Sequence, residues 1–422
     1  MLKLTVPHRF QGAPWLLCAF RPFFLATLIS AVLLLMLWLG FLKGLWPLPA
    51  VAGGPLVWHA HELLFGFGLA AVAGFVLTAV PEFTRTAAVG RGLLFWLLVL
   101  WLLARLSFWL SGVLGPWPAA LCNVGLALAL PLTLARRLFG DPTRRQWTFA
   151  GGLLAFAVAC AGFYADLLQG LYPMRWLHAG IGAVLALVLI ALSRISMRIV
   201  NDALEARTAR APLDEPLEYR ALPPRRNLAI FCIALYTLAE FFLPDAKVGG
   251  WLALACSAAL FNILNDWHVG RALFSRWALS LYLVYWLMAL GYAAIGAALL
   301  WQALPVSAGR HLLTIGGLGL SIFAVINIAG RTHSGEELDP RPWVPIGATL
   351  LVLGALLRLA AHLPGLPYTG LLAASGLAWL IAFGLALRYL GEVFIRPRGD
   401  GGLGCEEPLN AHGEESAAPR CG

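Results

Sequence analysis

The sequence predicts an all-α polytopic membrane protein with about twelve transmembrane helices. Of its 422 residues, 60% are hydrophobic and only 12% are charged, and the mean hydropathy is +0.79. A soluble domain carries about 25% charged residues. Apolar segments long enough to cross about 30 Å of hydrocarbon as helices recur along the whole chain. The predicted spans are 23–42, 58–80, 92–114, 116–136, 147–170, 174–196, 227–243, 248–265, 277–301, 311–330, 342–362 and 367–391.

Positive charge is distributed unevenly between the two sides of this topology. One side holds only Lys43, Arg175, Lys247 and Arg310, and nearly all other Lys and Arg residues fall in the opposite loops and termini. Because cytoplasmic loops are enriched in Lys and Arg, both termini are expected in the cytoplasm. The net charge of +9 then reflects topology and gives no reason to expect nucleic acid as a partner. The partner that the sequence does indicate is the lipid bilayer.

The chain is expected to form one transmembrane domain with polar ends. Residues 1–22 form a cytoplasmic N-terminal segment, and 23–391 form the helical domain. The charged loop 197–226 separates two halves of six helices each. Residues 392–422 lack any apolar period and are expected to be disordered. The first apolar run is too long for the core of a cleaved signal peptide. None of the seven cysteines forms a C-x-x-C pair, so no disulfide framework is expected.

The second span opens with Trp58-His59-Ala60-His61-Glu62. Three ionisable side chains at a membrane edge are costly to desolvate and need partners. Imidazole is the commonest side-chain ligand of metals, so the motif predicts a metal or haem site. The alternative is that both histidines simply lie in the interfacial aromatic belt.

The spacing inside this motif predicts a division of roles. Residues two apart on a helix point about 200° away from each other, so His59 and His61 are expected to face opposite directions. They would then bind two different metal or haem centres, or one would be a ligand and the other would hold that ligand in position. Glu62 follows His59 by three residues and is expected to orient the His59 imidazole. Small residues further along the span predict close packing at the centre of the bundle.

Arg105 lies deep in the third span, where a charge requires a polar partner. One interpretation makes Arg105 the partner of a bound anion, for instance a haem propionate. The other makes it a structural ion pair with a carboxylate such as Asp166. The sequence leaves both interpretations open.

Topology brings further histidines to the same membrane depth. Spans 2, 6 and 10 run in the same direction, and His59, His61, His178 and His311 all lie near their starts on the outer side. His362 is an additional candidate. The interval of four spans also suggests a pseudo-threefold arrangement of four-helix units. The shared depth predicts a multi-ligand metal or haem site, unless the histidines merely favour the interface.

Several stretches resemble a known family. They are Arg21-Pro22-Phe23-Phe24, Trp58-His59-Ala60-His61-Glu62 with Phe65-Gly66, Gly74-Phe75-Val76-Leu77-Thr78-Ala79-Val80-Pro81, Leu100-Trp101 with Arg105, Arg226-Asn227, and His311 with Thr314 and Gly316. In these stretches the chain resembles the NnrS family, from about residue 20 to residue 340. Pro81-Glu82-Phe83-Thr84 and His333-Ser334-Gly335-Glu336 depart from the family pattern, so the chain looks like a divergent member.

The resemblance implies a twelve-span protein of the bacterial inner membrane that contains haem and copper and is associated with nitric oxide resistance and denitrification. The expected ligand is then a small gaseous or anionic nitrogen oxide. Two alternatives remain, namely a secondary transporter of a metal ion or small anion lined by the same histidines, and a membrane sensor or assembly partner without turnover. The sequence indicates neither a catalytic residue nor a protein partner.

Overall fold

The computed structural model describes residues 5–140, 144, 146–208 and 218–405. These residues form helices and no strands, which confirms the predicted all-α class. The long helices in chain order are α1 Phe20–Leu42, α2 Gly54–Phe83, α3 Arg91–Trp109, α4 Trp117–Phe139, α5 Trp147–Leu168, α6 Met174–Thr208, α7 Pro223–Phe242, α8 Lys247–Leu264, α9 Arg276–Trp301, α10 Val306–Thr332, α11 Trp343–Ala360 and α12 Tyr368–Ile395.

Eleven helices in the described part of the chain are long and apolar enough to cross a membrane, and α7 is the long helix that falls outside this set. Helix α7 carries Arg225, Arg226 and Glu240. Arg225 donates to Asp266 at 2.5 Å, Arg226 donates to the Ser193 hydroxyl, and Glu240 accepts from Arg310. With its charges bound in this way, α7 packs against both α6 and α8 at the periphery of the bundle, where most of its residues are partly or fully exposed.

Helices α2, α6 and α10 occupy the centre of the bundle. In their most apolar stretches, 89%, 67% and 83% of the residues are buried, against at most 56% in any other candidate span. The predicted central position of α2 is therefore confirmed. The three buried helices are also four apart in the chain, as three four-helix units would require.

The segment between the two halves is shorter than the predicted loop 197–226. Helix α6 continues to Thr208, and α7 already begins at Pro223. The Asn201 side chain donates to the Tyr219 carbonyl at 3.1 Å and accepts from the Tyr219 N–H at 2.8 Å. These two bonds fasten the end of α6 to the residues that precede α7. Residues 209–217 of the predicted loop lie outside the described residues.

The expectation of a disordered tail after residue 392 is wrong as far as Cys405, because α12 runs to Ile395 and the following residues are bound to the bundle. Buried Arg21 donates to the Arg396 carbonyl at 2.5 Å, and a Cys18–Cys405 disulfide links the tail to the N-terminal segment. The sequence did not predict this single pair, since a sequence separation of 387 residues gives no local signal. Residues 406–422 lie outside the described part of the chain.

Candidate functional site

Two of the central helices share an irregular backbone immediately after a histidine. Helix α2 is α-helical over Gly54–His61 and π-helical over Glu62–Gly68, and α10 is α-helical over Val306–His311 and π-helical over Leu312–Gly319. Such wider turns are rare and frequently occur at functional sites. The sequence analysis missed this feature, and its only local signal was several glycines within an apolar helix. The shared pattern makes His61 and His311 structural counterparts.

His61 lies in a buried polar cluster between α2, α3, α4 and α5. Its Nδ1 is 3.0 Å from Glu62 Oε1, and the same carboxylate oxygen accepts from Arg105 Nη1 at 2.6 Å. Arg105 also donates to the Asn123 side chain. Because a carboxylate paired with arginine acts as an acceptor, we assign the ring proton to Nδ1. His61 Nε2 then accepts from the Tyr164 hydroxyl at 2.8 Å.

Glu62 therefore orients His61, and the prediction that it orients His59 is wrong. Arg105 draws the carboxylate toward α3, at the point where the helix changes from α to π. The predicted alternative partner of Arg105, Asp166, instead forms two hydrogen bonds of 2.9 Å with Arg175. The 3.6-residue period of a regular helix predicts neither the Arg105–Glu62 pair nor the Arg175–Asp166 pair.

The His61 cluster has hydrogen-bonding capacity that the protein does not use. Trp58 Nε1 is buried and has no hydrogen-bond partner among the described residues, whereas Trp109 is a hydrogen-bonding neighbour of the Glu62 carboxylate. The two indole rings meet edge to face with centroids 5.8 Å apart, and Trp109 is close to the Glu62 carboxylate. Buried polar groups are normally satisfied, so the cluster is suited to hold a small polar group beside His61.

His59 points away from this cluster, which confirms the predicted opposite orientation of the two histidines. Its ring stacks on Trp38 of α1, with centroids 4.2 Å apart, and lies within electrostatic reach of His311 and Arg358. His311 Nδ1 is 2.7 Å from the Ser307 carbonyl, which can only accept, so this nitrogen carries the proton. His311 Nε2 has no hydrogen-bond partner within the described residues. His59 and His311 are thus neighbours on the face of α2 opposite His61.

His178 belongs to a third cluster. Its Nδ1 is 3.9 Å from Glu240 Oε1, and Glu240 also binds Arg310. The additional candidate, His362, binds Arg358 through Nε2 at 2.7 Å. The predicted histidines are thus distributed over three places. In the described residues, no group of three or more His, Cys, Asp or Glu side chains is arranged to hold a metal ion.

The His61 and His311 imidazoles each have the Nδ1 partner of a metal-ligating histidine, and in the described residues they do not form part of a closed protein cage. In metal sites a ligating histidine donates its other ring N–H to a carboxylate or a backbone carbonyl, which fixes the tautomer. His61 meets this condition through Glu62, and His311 meets it through Ser307. In both rings Nε2 is the remaining ligand atom.

Comparison with known proteins identifies one matching family. The model of the family described as NnrS protein matches residues 14–398, which is most of the chain. No curated protein matches the chain. The match includes all the long helices, the two α-to-π transitions and all three histidine clusters. This multi-pass helical chain belongs to the NnrS family.

Proposed function

We propose that this protein binds haem and copper and handles nitric oxide or a related nitrogen oxide. Family membership supports the link to nitric oxide. The observation on which the proposal mainly rests is the pair of histidines at the α-to-π transitions of α2 and α10. Each has its Nδ1 bound to an oxygen acceptor, as in histidines that ligate metals.

The two faces of α2 would have separate roles. His61 would hold one group through Nε2, where the Tyr164 hydroxyl now donates, and His59 with His311 would hold the other. A bound haem or copper would supply the electron transfer and the open coordination position that a small nitrogen oxide requires. Glu62 and Arg105 would fix the His61 ring, and the phenyl ring of Phe108, stacked on it at 3.6 Å, would exclude water.

The His178 cluster would provide charge close to this site. Glu240 and Arg310 pair with each other beside His178, and Arg310 directly precedes His311 on α10. An anionic nitrogen oxide approaching His311 would therefore meet a guanidinium one residue away. We place the histidine-bearing ends of α2, α6 and α10 on the outer side of a bacterial inner membrane, with both termini in the cytoplasm, because of the distribution of Lys and Arg.

The test is the cofactor content of the full-length protein, purified from cells supplied with haem and copper. We expect a haem Soret band and bound copper, and we expect His311→Ala to lower the content of one of them. His268→Ala is the matched control, because His268 is exposed in the segment between α8 and α9. If the native protein contains neither cofactor above background, the proposal is wrong, and uptake of a metal or anion into vesicles would then favour the transporter alternative.

A further inference from the structure

The three central helices line a small, partly open cavity that is separate from the histidine clusters. It has a volume of about 50 Å³ and lies between α2, α6 and α10, with contributions from Phe24 of α1 and Phe149 of α5. Its wall includes Ala71 on α2, Ala191 on α6 and Leu318 on α10. Ala71 follows His61 by ten residues along α2, which places it more than two helical turns from His61. The cavity therefore lies further along α2 than His61, away from the end of the helix that carries the histidines.

The wall of the cavity is almost entirely apolar. Ser321 contributes the only hydroxyl among the lining side chains, and that hydroxyl donates to the Leu318 carbonyl at 2.8 Å. A buried water needs roughly two to four polar partners, and cavities lined by apolar side chains stay dry. No charged side chain lines the cavity. Water and ions are thus poor occupants.

The volume of the cavity limits the size of the molecule that it can hold. A cavity of about 10–15 Å³ can hold one water molecule, and an apolar cavity of about 150 Å³ accepts benzene, which has six heavy atoms. A cavity of about 50 Å³ is too small to enclose a tetrapyrrole or a whole acyl chain. The size fits a molecule of one or two heavy atoms.

The rim of the cavity offers a route from the lipid. Val72, Phe75 and Val188 line the cavity and are partly exposed, whereas most of the wall is buried. Exposed apolar side chains in the middle of spanning helices face the hydrocarbon. Apolar gases dissolve better in hydrocarbon than in water, for the same reason that apolar surface leaves water. A gas molecule could therefore reach the cavity without crossing a polar layer.

We infer that this cavity is a binding site for a small apolar gas molecule of one or two heavy atoms, reached from the hydrocarbon of the bilayer. The inference depends on volume, lining and position alone, and it holds whether or not the histidines bind metals. Its ligand class excludes anions, water and lipid chains.

Xenon is the probe, because it is apolar, monatomic and visible by its anomalous scattering. Crystals of the full-length protein pressurised with xenon are expected to show a xenon atom between Ala71, Ala191 and Leu318. Ala191→Leu should abolish that peak by filling the space. Ala374→Leu is the matched control, because Ala374 is exposed on α12, away from the cavity, and should leave the peak unchanged.

Three results would overturn the inference. One is the absence of xenon from the cavity of the native protein, and another is ordered water or an acyl chain in its place. A peak that persists in folded Ala191→Leu would also show that xenon binds elsewhere. If Ala191→Leu does not fold, the electron density of the native protein still shows whether xenon occupies the cavity. Ala71→Val then provides a smaller substitution that fills part of the same space.

Discussion

Arg105 Nη1 donates to Glu62 Oε1 at 2.6 Å, and this ion pair joins α3 to the first π-helical turn of α2. Glu62 is fully buried and Arg105 is 8% exposed. Removing one partner of a buried ion pair leaves the other charge uncompensated, at a cost of about 3–5 kcal/mol. We therefore expect Arg105→Leu to lower the thermal unfolding temperature of the detergent-solubilised protein strongly.

Two further variants distinguish the loss of the Arg105–Glu62 ion pair from the effect of removing any arginine side chain. Arg271→Leu, in the exposed segment before α9, should leave the unfolding temperature nearly unchanged. Adding Glu62→Leu to Arg105→Leu should recover part of the loss, because no buried charge then remains. Purely additive losses in the double variant would show that the two side chains do not stabilise each other.

A second prediction concerns the close packing of α9 and α10. A Cβ atom at Gly309 would lie 2.6 Å from the Gly291 carbonyl oxygen and 2.8 Å from the Ile295 nitrogen. Both are backbone atoms, so Gly309→Ala requires the two helices to separate. Overpacking of this kind costs about 1–3 kcal/mol. We expect a clearly lower unfolding temperature for this variant.

Gly384 provides the matched control in α12, because a Cβ atom there would meet nothing within 4 Å. Alanine is the better helix former by about 0.5–1 kcal/mol, so Gly384→Ala should be neutral or slightly stabilising. Equal effects of the two substitutions would contradict the close contact between α9 and α10.

The sequence predicted those parts of the fold that depend on local composition. Apolar length identified the spans, and the shared direction of spans 2, 6 and 10 brought attention to the three helices that prove most buried. The two-residue spacing of His59 and His61 correctly predicted opposite faces, because the backbone is still α-helical there.

The parts that the sequence did not predict depend on residues far apart in the chain. Glu62 is held by Arg105, 43 residues away, so its i, i+3 relation to His59 had no effect. Arg105 could not be assigned a partner, because several carboxylates were available and only the fold selects one. The π-helical turns add a residue per turn without changing composition, so a hydropathy pattern cannot distinguish them from α-helix.

The bound tail gives a third prediction. Arg398 makes two hydrogen bonds to Asp400, at 2.9 and 2.5 Å, and donates to the Gly404 carbonyl at 2.8 Å. Arg398→Ala should therefore expose residues 396–405 to limited proteolysis, most clearly after the Cys18–Cys405 disulfide is reduced. Arg388→Ala should have little effect, because its pair with Glu392 is exposed and such pairs contribute about 0–1 kcal/mol.

The same contact predicts how the tail responds to acid. Hydrogen bonds from Arg398 lower the pKa of Asp400 to about 2. A carboxyl with a lowered pKa stabilises the folded form above its ordinary pKa and loses that contribution as the pH falls through the lowered value. Protection of the tail should thus be the same at about pH 7 and about pH 5. Release within that interval would show that another group controls docking.

The last prediction concerns the two faces of α2, and it rests on the proposed cofactors. His61 contacts Glu62 and Tyr164, whereas His59 stacks on Trp38 near His311. His59→Ala and His61→Ala should therefore lower the occupancy of different groups, measured by optical spectrum and metal analysis of the full-length protein. Glu62→Gln should weaken the group at His61 by roughly 10–100-fold, the usual effect of losing the residue that orients a ligating histidine. It should leave the group at His59 unchanged, because the Glu62 carboxylate binds the other ring.

Tyr164→Phe is the control. It removes only the hydroxyl that donates a hydrogen bond to His61 Nε2, so the variant should keep the cofactor at His61. If both alanine variants lose the same single group to the same extent, the two histidines serve one centre, and the separation into two faces has no functional meaning.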